Sequence, residues 1–93
     1  MCEQLKIRLK QELELLLSEL ALDCNLENLK KIHDCLNKLY NELAKNKCLS
    51  ENEFEELGEL ISALYNKIIF DKDYKNIGLL KLSIKYLLLK LNL

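Results

Sequence analysis

The chain is predicted to fold as an all-α, antiparallel four-helix bundle, a single domain over residues 1–93. Three observations lead there. Apolar residues recur at steps of three and four in four separate stretches, the period of a helix with one buried face. Proline is absent and glycine occurs twice, too little punctuation for a β-sandwich and too little glycine for a phosphate-cradling loop. Hydrophobic residues make up 49% and charged residues 31% of 93 positions, which suits one modest core and excludes a disordered tail.

The first helix is expected over residues 2–22. Leu5, Leu9, Leu13, Leu16 and Leu20 form its stripe, and Leu15, Leu17 and Leu22 widen it toward a second neighbour. Asp23-Cys24-Asn25 breaks the pattern, with Asn25 placed to cap the second helix. That helix runs to about Asn46 on Leu26, Leu29, Ile32, Leu36, Leu39 and Leu43. Ser50 with Glu53 three residues on is a capping box, and Leu49 with Phe54 is spaced for a hydrophobic staple. These signals start the third helix at Ser50, with Phe54, Leu57, Ile61, Leu64 and Ile68 as its stripe. Gly58 inside it implies close packing against a neighbouring helix.

Asp71-Lys72-Asp73 ends the third helix, and Asp73 can cap the fourth, whose stripe is Tyr74, Ile77, Leu80, Ile84, Leu87 and Leu91. Residues 80–86 alternate strictly, which is a strand pattern. The following Leu87-Leu88-Leu89 breaks it, and a lone strand would have no partner, so a helix is expected.

Fourteen basic against fifteen acidic residues leave a net charge of -1, and a balance so even gives no global reason to expect nucleic acid as a partner. Charges interrupt the N-terminal stretch every few residues, so neither a signal peptide nor a membrane span is expected. The expected location is the cytoplasm, including the inner face of the membrane. Cys2, Cys24, Cys35 and Cys48 contain no C-x-x-C pair, and without an export signal the expectation is four reduced thiols.

No catalytic group and no metal or other cofactor is expected. His33 is the sole histidine, and Cys35, two residues on, points to another side of the helix. His33 and the cysteines match no zinc spacing, and one histidine cannot build a carboxylate di-iron bundle. His33 is therefore expected at the surface or its boundary. Glu51, Glu53, Glu55, Glu56 and Glu59 crowd the start of the third helix, where acids favour the positive end of the helix dipole. The fourth helix is the reverse. From Tyr74 onward it carries Lys75, Lys81, Lys85 and Lys90 and no acid, so the two helices are expected to be neighbours. Leu79, Leu82, Tyr86 and Leu89 lie off its main stripe. Such a helix is either the buried centre of the bundle with snorkelling lysines or the bearer of an exposed partner-binding face.

The stretch Ala63-Leu64-Tyr65-Asn66-Lys67-Ile68-Ile69-Phe70, followed by charged residues and Tyr74, resembles the passage from third to fourth helix in the class IIa bacteriocin immunity proteins of the enterocin A type. Residues 39–47, ending Lys45-Asn46-Lys47, are similar to the close of that family's second helix. The resemblance implies a non-catalytic protein that acts inside the producing cell. Its partner would be the complex of a bacteriocin with the membrane part of a mannose phosphotransferase permease, and its recognition surface would lie in the C-terminal half. The residues it points to here are Lys67, Phe70, Tyr74, Lys75, Lys81, Lys85 and Lys90. Two other classes fit the same residues: a phage or mobile-element inhibitor or nucleoprotein subunit, and a homodimer that buries the excess apolar face.

Overall fold

A computed structural model describes residues 1–22 and 24–91. Asp23, part of the expected break after the first helix, and residues 92–93 lie outside the described residues. Among the described residues there are four α-helices and no strand: α1 (Cys2–Ala21), α2 (Leu26–Lys45), α3 (Glu51–Ala63) and α4 (Ile77–Leu91). α3 runs on into a wide π-helical turn, Leu64–Phe70, and a single 3-10 turn, Tyr74–Asn76, leads into α4. Residues 80–86 are helical, so the strand alternative is set aside.

α1 packs against α2 and α4, and α3 against α2 and α4, the ring order of an up-and-down bundle. The molecule measures 34 × 21 × 19 Å, about the length of a 20-residue helix at 1.5 Å per residue. Its core is one continuous cluster. It includes Leu9, Leu13 and Leu16 of α1, Leu29 and Leu36 of α2, Leu57 and Leu64 of α3 and its extension, and Ile84 and Leu87 of α4.

The helix starts follow local chemistry. The Asn25 side chain accepts from the Asn28 amide at 3.1 Å. The Glu19 carboxylate reaches across from α1 to accept from the Asn25 amide and from Asn28 Nδ2, at 3.4 and 2.9 Å. A carboxylate there also faces the positive end of α2. At α3 both halves of the capping box are made: Ser50 Oγ accepts from the Glu53 amide at 3.3 Å, and Glu53 Oε1 accepts from the Ser50 amide at 2.9 Å. Ser50→Ala is expected to lower stability by about 1 kcal/mol, within the usual range for a lost N-cap. A urea titration reads this, and an unchanged midpoint would mean that the cap contributes nothing.

α2 closes with a Schellman turn in which the Cys48 amide donates to Leu43 O at 3.0 Å and the Lys47 amide to Ala44 O at 3.2 Å. Lys47 takes the left-handed position, φ 51°, where glycine is usual. Gly58 meets the reason expected for it: a Cβ there would lie 3.3 Å from the Tyr40 hydroxyl of α2. Tyr40 in turn meets Phe54 edge-on, with ring centres 5.6 Å apart.

Three expectations are corrected. Leu15 and Leu22 do not join the core; they remain 53% and 77% exposed, because the ring order gives α1 two neighbours and leaves its outer side to solvent. Tyr74 is exposed rather than part of the α4 stripe, since the 3-10 turn sets it off the helical face. The third correction concerns the thiols. Cys2 and Cys48 form a disulfide, with Cα atoms 5.3 Å apart and a sequence separation of 46. The antiparallel α1–α2 hairpin returns the end of α2 to the start of α1, so the pairing is made through space and no local spacing announces it. The Cys24 thiol donates to the Leu20 carbonyl at 3.5 Å, and Cys35 is exposed and outside any disulfide.

Candidate functional surface

α4 divides its apolar residues between two faces. Leu80, Ile84 and Leu87 point inward and are buried. Leu79, Leu82, Tyr86 and Leu89 remain 67%, 55%, 66% and 71% exposed. α4 is therefore not the all-round buried centre of the bundle; one side of it presents uncovered leucine and tyrosine.

Part of this face lines a groove of about 610 Å³ between α3 and α4. Leu79, Leu82, Ser83 and Tyr86 form one wall, Glu56, Glu59 and Ala63 the other, and Lys67 stands at the end nearest the π turn. Lys90 reaches across to pair with Glu56, so the two helices are neighbours, as their opposite charges suggested. The contact is partly exposed, and pairs of that kind contribute only a few tenths of a kcal/mol. It marks the register of the two antiparallel helices more than it stabilises them.

The residues singled out from sequence fall into two groups. Lys67, Phe70, Tyr74 and Lys75 cluster at the π and 3-10 turns, all exposed, with Phe70 73% open to solvent. Lys81, Lys85 and Lys90 lie along α4, Lys81 half-buried and the other two exposed. The π turn produces the first group. The Asp71 amide donates to Asn66 O, five residues back, at 3.1 Å. The extra residue in that turn lets Ile68 and Ile69, adjacent in sequence, both be buried while Phe70 is turned outward. Such turns are uncommon and gather at functional sites.

Tyr65 belongs to the stretch that carries the resemblance but was not among the residues singled out for the site. It is 46% exposed and packs its ring on His33 with centres 5.1 Å apart. His33 sits at the boundary, as expected, and its Nδ1 lies 3.4 Å from Asp34 Oδ1. No known protein family, curated protein or solved structure matches the chain. Among the described residues no group of histidine, cysteine and acidic side chains could hold a metal ion. No helix among them is long and apolar enough to cross a membrane.

The surface can therefore do three physical things. It can bury apolar area against a partner, offer lysines to acidic groups along one edge, and offer carboxylates to basic groups along the other.

Proposed function

We propose that this is a non-catalytic binding protein of the bacteriocin-immunity kind, and that its recognition surface is the α4 face together with the adjoining π turn. The observation that carries the reading is the uncovered row Leu79, Leu82, Tyr86 and Leu89, bordered by lysines. Exposed side chains of this size in a contiguous row mark interaction sites on soluble proteins. The all-α four-helix plan agrees with what the resemblance implies, and Lys67, Phe70, Tyr74 and Lys75 stand exposed in the C-terminal half, where the resemblance puts recognition. The partner in this reading is a bacteriocin bound to its membrane receptor, met at the cytoplasmic face.

The test is protection. A sensitive strain expressing the chain is expected to survive the cognate class IIa bacteriocin. Replacing Lys81 and Lys85 by Glu is expected to leave a folded bundle, because partly exposed charges contribute little to stability. It should raise the bacteriocin sensitivity of the strain by about tenfold or more, since charges at an interface rim govern encounter and orientation. Full protection by this variant at equal abundance removes the lysines of α4 from the site. Failure of the unaltered chain against a panel of class IIa bacteriocins removes the immunity reading.

A further inference from the structure

The apolar face of α4 has Lys85 on one edge and Glu59 on the other, where Lys67 and the Glu56-paired Lys90 also lie, and the placement of Lys85 against Glu59 selects an occupant. With about 100° between successive residues of a helix, Leu89, Leu82, Tyr86 and Leu79 follow one another around α4. Lys85 precedes Leu89 by about 40° on the edge away from α3. The opposite edge is the α3 wall of the groove, where Glu59 is exposed. The Lys90–Glu56 pair marks the register of the antiparallel helices. Five residues back along α4 and five forward along α3, Lys85 stands level with Ile61, about 3 Å along the axis from Glu59 at 1.5 Å per residue.

We infer that a second copy of this chain covers the α4 face, related by a two-fold axis parallel to α4. Rotation about such an axis exchanges the two edges, so Lys85 of each copy faces Glu59 of the other at nearly the same height. The two apolar rows meet along the centre. A two-fold axis perpendicular to α4 would instead set the Lys85 edge on the Lys85 edge and the Glu59 edge on the Glu59 edge, which costs rather than gains. The axis is thus chosen by charge, and the interface is isologous.

Its size predicts its strength. α4 is about 22 Å long at 1.5 Å per residue. A strip about 20 Å wide, two helix diameters, buries roughly 900 Å² in total, at the low end for specific association. The dimer is therefore weak and exchangeable. It shields the same face that the proposed function uses, so partner and second copy compete for it. The inference does not depend on who the partner is.

Sedimentation velocity of the purified, disulfide-bonded chain over a wide concentration range tests this. The unaltered chain is expected to pass from monomer to dimer in the micromolar range or above. Lys85→Glu alone and Glu59→Lys alone are each expected to weaken the dimer about tenfold, because both symmetric contacts become repulsive. Mixing the two variants should restore a heterodimer as tight as the unaltered homodimer, since both contacts are then attractive. Circular dichroism of each variant confirms an intact bundle, and recovery on mixing shows that neither variant is merely misfolded. A monomer at every concentration overturns the inference, whether or not that monomer associates with vesicles of anionic lipid. So do single variants that dimerise as tightly as the parent. A mixture much tighter than the unaltered dimer overturns the axis, because it shows that like edges had faced each other.

Discussion

Opening the Cys2–Cys48 disulfide is expected to lower stability by about 2–4 kcal/mol. The bond closes a loop with a sequence separation of 46, and the chain-entropy relation for a loop of that length gives about 4 kcal/mol. Structure kept in the unfolded ensemble reduces the figure. For a domain of this size 1 kcal/mol moves the midpoint by about 4–8 °C, so a fall of about 8 °C or more should follow. Comparing oxidised and reduced forms of the unaltered chain separates the cross-link from the packing of the Cys48 side chain, which is buried. Cys35→Ser, at an exposed and unbridged position, should change stability by less than about 0.5 kcal/mol. A midpoint indifferent to reductant would mean that the sulfurs are not bonded in solution. Cytosolic thiol pools keep most cysteines reduced. In the proposed cytoplasmic setting the working form is therefore the dithiol, held together by its core alone.

The second large effect separates the two faces of α4. Ile84→Ala is expected to cost about 2–5 kcal/mol, because the side chain is fully buried and the space left behind closes only in part. Leu80→Ala, also at a buried position, belongs to the same range. Leu82→Ala, four residues before Tyr86 on the exposed face, should cost less than about 0.5 kcal/mol in the monomer. Urea titrations at low protein concentration read these differences without interference from association. Equal costs at residues 82 and 84 would mean that the helix sits in the bundle in another rotation, and the proposed face would go with it.

Much of the fold was legible because its causes are local. Leu9, Leu13 and Leu16 repeat with the helix period and are fully buried. Ser50 and Glu53 sit at the spacing their two hydrogen bonds require. What stayed hidden depends on distant partners. The disulfide needs α1 and α2 to be antiparallel before its cysteines meet. Leu15 is as apolar as Leu16, and only the placement of neighbouring helices leaves one out and takes the other in. The π turn left a faint trace, since Ile68 and Ile69 are successive apolar residues where a strict 3.6 period buries one. The surplus leucines of α4 could be read from a helical wheel. The groove beside them could not, because its second wall is α3, and how the two helices lie against each other is settled by packing between residues distant in sequence.

The wide turn at Leu64–Phe70 also makes this stretch tolerant of a change in length. A π turn holds one residue more than an α turn over the same arc. Removing a residue there would return the segment to ordinary helical winding, and α1, α2 and the body of α3 would keep their places. Only side chains within the turn would be re-addressed around the helix, since a wide turn that loses its extra residue leaves the winding on either side where it was, so what is displayed beside Phe70 would change. One codon gained or lost at this point could thus change what the end of the bundle displays, with most of the hydrophobic interior untouched. For the recognition role proposed above, that is a short mutational route to a new specificity.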